Sequence, residues 1–159
     1  DKTIFFGDDD YNNIFLEMAK QSEKQEINML MGHYFFLGNE KVFSNYFSNV
    51  IDEEEYVQTI KNSKYLLTAS LQSALESLAC GNFPVLFKRF DKNYDEELIT
   101  NLNIPVIKGD NLKQLIENFS VIINNYPNIN NFNIISFDTI IKNVKEKIDL
   151  YNKLMNNTQ

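Results

Sequence analysis

Small hydroxyl residues lie between two apolar segments near the middle of the chain. Residues 68–73 read Thr-Ala-Ser-Leu-Gln-Ser and precede a stretch with helical periodicity. The first amides of a helix lack intrahelical acceptors and carry the positive end of the helix dipole, so this loop suits the binding of a phosphate. Ser70 also fits a second role, in which its side chain only caps the helix.

Glu76 follows Ser70 by six residues and falls one turn into the same helix. A carboxylate at that place could accept hydrogen bonds from both hydroxyls of a ribose, as acidic residues do in other nucleotide-binding α/β folds. The alternative is an ordinary glutamate on the exposed surface of the helix. Together, the loop and Glu76 predict a ligand that carries a phosphate and a ribose.

Three further groups of residues could take part in chemistry. His33, the only histidine, follows an apolar run and could act as a general acid or base, contact a phosphate, or do neither. The aspartates at 8–10 could bind a metal ion or form a solvated loop. Lys88 and Arg89 follow another apolar run and could meet a phosphate or remain surface cations.

The sequence argues against several kinds of site. It contains neither GxGxxG nor GxxxxGK[ST], so neither a dinucleotide fingerprint nor a P-loop is supported. One histidine gives no basis for a Ser-His-Asp or Cys-His arrangement. The single cysteine, Cys80, excludes an internal disulfide, predicts a reducing, cytoplasmic location, and is expected to be buried and inert. We predict no metal and no cofactor.

The composition limits the class of partner. The 159 residues carry a formal net charge of −7, which argues against nucleic acid or an anionic membrane surface, because both require a basic face. No apolar run approaches the roughly 18–20 residues of a membrane span. The chain has 43% hydrophobic and 23% charged residues, as globular proteins do, and we predict one domain over residues 1–159.

Strand and helix signals alternate along the chain. Short apolar runs predict strands at 3–6, 27–31, 49–51, 65–67, 83–87 and 104–107. Apolar residues at helical spacing predict helices at 14–19, 53–62, 71–80, 94–102 and 112–119. Residues 39–47 are compatible with a short helix, 123–133 with a loop, and 138–157 with a C-terminal amphipathic helix.

This alternation predicts an α/β protein with a Rossmann-like, doubly wound parallel sheet of five or six strands and helices on both faces. Open sheets of this kind bind ligands beyond the carboxyl ends of their strands. The loops expected to form a site are therefore 7–13, 32–39, 68–73 and 88–94.

A family resemblance lies in the same region. Residues 66–87, Leu-Leu-Thr-Ala-Ser-Leu-Gln-Ser-Ala-Leu-Glu-Ser-Leu-Ala-Cys-Gly-Asn-Phe-Pro-Val-Leu-Phe, resemble the signature of the C-terminal half of GT-B-type nucleotide-sugar enzymes. The most similar subgroup comprises the UDP-sugar hydrolases of the pseudaminic acid pathway and related spore-coat polysaccharide biosynthesis proteins. Its GGxDxxN loop resembles Phe-Gly-Asp-Asp-Asp-Tyr-Asn-Asn at 6–13, where Gly7, Asp10 and Asn13 match. The resemblance covers roughly residues 3–107.

In these families the C-terminal half holds the nucleotide, and the catalytic histidine lies in an N-terminal half. The resemblance therefore implies a UDP or UDP-sugar ligand, an N-terminal domain as a partner, and catalytic residues outside this chain, with His33 as the one candidate inside it. The expected nucleotide- or substrate-binding residues are Gly7, Asp10, Asn13, Gly32, His33, Ser70, Leu71, Gln72, Ser73 and Glu76.

The expected function is that of the UDP-sugar-binding domain of a hydrolase or glycosyltransferase in bacterial surface-glycan biosynthesis. A second hypothesis is a UDP-GlcNAc 2-epimerase-like enzyme, since such enzymes share the architecture. A third hypothesis is a catalytically silent binding or assembly domain. It is motivated by two departures from the family pattern: Asp8 replaces the second glycine of the GGxDxxN loop, and residues 68–70 contain no glycine.

Overall fold

A computed structural model describes residues 1–126, apart from the side chain of Leu37. Within this range, six parallel strands pair in one sheet with the order β3-β2-β1-β4-β5-β6. The strands are β1 (Lys2–Phe5), β2 (Gln25–Leu30), β3 (Phe47–Ile51), β4 (Tyr65–Thr68), β5 (Phe83–Phe87) and β6 (Val106–Ile107).

A helix follows each strand in the described range. The helices are α1 (Ile14–Lys20), α2 (Glu40–Phe43), α3 (Tyr56–Asn62), α4 (Leu71–Ala79), α5 (Glu96–Asn101) and α6 (Leu112–Asn124). Short 3-10 turns occupy Tyr11–Asn13, Leu37–Asn39 and Glu53–Glu55.

Both faces of the sheet are covered, which confirms the predicted doubly wound fold. Along β1, Ile4 faces a core formed with α1, α2 and α6, whereas Phe5 faces the opposite side. On that opposite side, α3 packs through Ile60, and α4 and α5 pack over β5. Successive strand residues point to opposite faces, so a strand covered on both sides is apolar throughout.

Some predicted boundaries are wrong. The short helix with which 39–47 are compatible is present at Glu40–Phe43, but the strand predicted at 49–51 begins earlier, at Phe47, because Phe47 pairs with Gln25 of β2. The strand predicted at 104–107 shortens to Val106–Ile107, the two residues that pair with the end of β5. The helix predicted at 112–119 continues to Asn124, because Ile123 is buried in the core.

The remainder of the loop predicted at 123–133, from residue 127 on, and the helix predicted at 138–157 lie outside the described residues. Among the described helices, none has the length and apolar character that crossing a bilayer would require.

The strand order fixes where a ligand can enter. β1 and β4 lie side by side, with Phe5 opposite Thr68, yet the helices that follow them pack on opposite faces of the sheet. The two connecting loops therefore diverge and open a crevice at the carboxyl edge between β1 and β4. This is the position at which open α/β sheets bind their ligands.

Candidate functional site

The loop after β4 is hydrogen-bonded to its neighbours. The Thr68 hydroxyl donates to the Phe5 carbonyl at 2.8 Å and accepts the Ser70 amide at 3.0 Å. The Tyr94 hydroxyl donates to the Ala69 carbonyl at 2.6 Å. These bonds fix the start of α4 at the edge of the crevice.

Ser70 is the N-cap of α4, and its Oγ accepts the Ser73 amide at 3.2 Å. The capping role predicted as one of its two alternatives is thus present. Residues 1–126 supply no acceptor for the amides of Leu71 and Gln72, so these two donors remain available to an anion.

A cleft of about 240 Å³ lies at this place. It is formed at the carboxyl ends of β1, β2 and β4, together with α3 and the first turns of α4. Its walls bring together five of the predicted nucleotide-binding residues, His33, Ser70, Gln72, Ser73 and Glu76. The other lining residues are Phe5, Asp8, Met31, Glu53 and Tyr56.

The Glu76 carboxylate is held from two sides. The Tyr56 hydroxyl donates to its Oε2 at 2.6 Å, and the Gln72 amide donates to its Oε1 at 3.1 Å. Tyr56 also lies 2.6 Å from the Ser73 hydroxyl. Because the tyrosine proton goes to the carboxylate, Ser73 is the donor in that second bond.

Burial raises the pKa of Tyr56 far above its ordinary value, and the hydrogen bond to Glu76 raises it further. The hydroxyl therefore keeps its proton at neutral pH and stays a donor, and it cannot serve as a base. The Tyr56–Ser73–Glu76 group is suited to holding a carboxylate in place and not to activating a nucleophile.

His33 lies at the other wall of the cleft. Its Nδ1 is 3.1 Å from Glu53 Oε1, and its side chain is 60% exposed. The adjacent Tyr34 ring stands edge-on to the imidazole at 4.8 Å. An exposed imidazole beside one carboxylate could contact a ligand, but among the cleft residues no hydroxyl is hydrogen-bonded to the imidazole for activation as a nucleophile.

The charged side chains that line the cleft are acidic, apart from His33. Asp8, Glu53 and Glu76 contribute carboxylates, and no lysine or arginine lines the walls. An anionic ligand here would have to be held by backbone amides and hydroxyls, against repulsion from the acidic side chains. Within residues 1–126, no three His, Cys, Asp or Glu residues cluster as a metal site would require.

Two of the predicted glycines act through the backbone. Gly7 has φ +140° and lies so close to Arg89 that a Cβ would come within 2.9 Å of its guanidinium. A Cβ on Gly32 would overlap the carbonyl oxygens of Gly7 and Asp8. Gly7 therefore lets the loop after β1 approach Arg89 in the loop after β5, and Gly32 lets the loops after β1 and β2 pack together. Neither glycine lines the cleft.

Three other predicted residues also lie outside the cleft. The half-buried Asp10 carboxylate accepts the amides of Phe15 and Leu16 at 2.7 and 3.1 Å, so it caps α1. Burial raises the pKa of Asp10 in spite of these bonds. Asn13 is exposed with φ 57°, and Leu71 packs its side chain against the core under α4.

The buried Arg89 side chain links the loop after β1 to the loop after β5. Its guanidinium binds Asp91 through Nε and Nη2 at 3.0 and 2.7 Å, and donates to Asp9 through Nη1. It also stacks 4.3 Å from the Phe6 ring centroid. Since Lys88 pairs with Glu96 at 2.6 Å, neither cation predicted as a phosphate contact points to the cleft.

A larger cleft of about 380 Å³ opens at the ends of β5 and β6, on the α1 and α6 side. Its walls are mainly apolar, including Phe6, Met18 and Leu115. Lys88 and Arg89, from the loop 88–94 that the sequence singled out, also line this cleft. Cys80, predicted to be buried, is exposed because it follows the end of α4 at Ala79.

Sequence reasoning missed Tyr56 and Glu53 as site residues. Tyr56 is part of the apolar stripe of the helix predicted at 53–62, and Glu53 lies in the acidic first turn of the same helix. The only signal was the tyrosine itself, since a buried hydroxyl needs a partner.

No protein-family model matches the chain, and no curated protein matches it either.

Proposed function

We propose that this chain is the UDP-sugar-binding domain of a GT-B-like enzyme of surface-glycan biosynthesis, a hydrolase or a glycosyltransferase. The observation that carries the proposal is the meeting of Ser70, Gln72, Ser73 and Glu76 in one cleft beside the crevice between β1 and β4. The resemblance of residues 3–107 to the nucleotide-binding half of such enzymes supports it.

The roles follow from the geometry. The free amides of Leu71 and Gln72, at the start of the nine-residue α4, would bind the diphosphate. Glu76, one turn further along, would accept the ribose hydroxyls. Preorganised donors of this kind stabilise a UDP leaving group as its charge develops. The attack on the sugar would use residues outside this chain.

Titration calorimetry of the chain with UDP and UDP-GlcNAc tests the proposal. We expect weak binding, with a Kd in the high micromolar to millimolar range, because no basic side chain supports the amides. Glu76→Ala should weaken UDP binding about 5- to 150-fold, the effect of losing a charged acceptor worth about 1–3 kcal/mol.

Glu117→Ala is the matched control, because Glu117 is an exposed helical glutamate on the opposite face of the sheet. It should leave the UDP affinity unchanged. No heat and no thermal shift at millimolar nucleotide would refute the proposal. An affinity that Glu76→Ala does not change would remove Glu76 as the ribose contact.

A second candidate is a catalytically silent domain that keeps the fold without the ligand. The three carboxylates of the cleft, unaccompanied by any lysine or arginine, favour it. It predicts no nucleotide binding under the same conditions, so one titration separates the two candidates. A 2-epimerase-like enzyme would share the binding result and differ only in the chemistry performed with the other half.

A further inference from the structure

The carboxylate of Glu76 has a fixed number of acceptor positions. Two carboxylate oxygens offer about four lone-pair positions. Tyr56 and Gln72 occupy one position on each oxygen. The two that remain match the two donors of a ribose 2′,3′-diol, and a 2′-deoxyribose would leave one of them without a partner.

Tyr56 is more firmly anchored than Gln72. Its ring stands edge-on to Phe5 at 5.4 Å and packs on the core cluster that contains Leu30, Ile60 and Leu66. Gln72 is exposed and reaches Glu76 only along the helix surface. The orientation of the carboxylate is therefore set mainly from α3, by a side chain that the core holds still.

We propose that Tyr56 is the positioning residue that makes this cleft prefer ribonucleotides over 2′-deoxyribonucleotides, by holding the Glu76 carboxylate toward the ribose diol. The inference rests on the proposed nucleotide binding and adds to it the selectivity and its cause. The Ser73 hydroxyl supports the same orientation, because it donates to the tyrosine oxygen and leaves the tyrosine proton for Glu76.

The test compares the affinities of UDP and 2′-deoxyUDP by calorimetry, in the wild-type chain and in Tyr56→Phe. This substitution keeps the ring and removes only the hydroxyl. In the wild type, UDP should bind about ten-fold more tightly than 2′-deoxyUDP, the effect of one hydrogen bond to a charged group. In Tyr56→Phe the preference should fall to about two-fold or less, chiefly through weaker UDP binding.

Tyr126→Phe is the matched control. Tyr126 is also half-buried, and its hydroxyl donates to the Pro84 carbonyl at 2.8 Å, at the amino-terminal edge of the sheet, away from the cleft. Its removal should lower the thermal stability much as Tyr56→Phe does and leave the nucleotide preference intact.

The experiment distinguishes failure of the proposed nucleotide binding from failure of the proposed role of Tyr56. If the wild type binds no UDP, the proposed function fails and the inference with it. If the wild type binds both nucleotides equally, or if Tyr56→Phe keeps the preference, the positioning role is wrong while nucleotide binding stands. An equal loss of affinity for both nucleotides in Tyr56→Phe would show a purely structural tyrosine and would also overturn the inference.

Discussion

Asp8 is the residue whose charge should limit how tightly the cleft holds an anion. It is exposed and lines the cleft together with the first turn of α4, where the free amides lie. Two like charges a few ångströms apart in water-like surroundings repel by about 1 kcal/mol. The amides must overcome this repulsion before a diphosphate binds.

Asp8→Asn should therefore strengthen UDP binding about five-fold, the equivalent of about 1 kcal/mol, as measured by calorimetry at low ionic strength. Raising the salt concentration should narrow the difference between variant and wild type, because salt screens exposed charges. Glu23→Gln, which removes an exposed charge at the amino end of β2, should change nothing. Unchanged or weaker binding by Asp8→Asn would mean that no anion sits near this aspartate.

The site could be predicted from the sequence only where its residues share one segment. Ser70, Gln72, Ser73 and Glu76 are placed by the periodicity of a single helix, so their approach to one cleft was predictable. Tyr56 comes from a different helix, and its bond to Glu76 spans 20 positions. Local spacing carries no information on such a contact.

Among the secondary-structure elements, α4 has two features, an N-cap and free first amides, whose effects a substitution can distinguish. Its N-cap stabilises the helix, and the amides of Leu71 and Gln72 in its first turn have no acceptor within residues 1–126. α6 offers a comparison, because Asn111 caps it in the same way by accepting the Gln114 amide at 2.9 Å, away from the cleft.

Ser70→Ala and Asn111→Ala should each lower the free energy of unfolding by about 1 kcal/mol, the usual contribution of an N-cap. Urea denaturation measures this loss. Only Ser70→Ala should also weaken UDP binding, by about five-fold, since it would loosen the amides that are proposed to hold the phosphates. If both variants bound UDP as the wild type does, Ser70 would be a cap alone.

The bounds of strands and helices could be predicted from the sequence where pairing with a distant strand did not determine them. β4 and β5 are apolar and covered on both faces, so their sequences mark them clearly. β6 has only two residues, which pair with Leu86 and Phe87 at the end of β5. The start of β3 likewise depends on Gln25 of β2, and pairing of this kind between distant residues leaves no local pattern.

For the whole molecule, the decisive feature is the order in which the strands assemble. The chain fills one half of the sheet, crosses from β3 at the edge to β4 beside β1, and then fills the other half. That crossing brings α3, and with it Tyr56, against α4. Arg89 then ties the loops after β1 and β5 through Asp9 and Asp91. The alternation of elements predicted the fold class, but it could not predict these contacts.

The most direct measurement is an amide chemical-shift titration of the 15N-labelled chain with UDP. It reports where the nucleotide binds as well as whether it binds. We predict that the amides of Ser70, Leu71, Gln72 and Ser73 shift progressively with UDP, while those of residues 106–110 beside the larger cleft do not. Unchanged spectra at millimolar UDP, or shifts confined to residues 106–110, would contradict nucleotide binding at the start of α4.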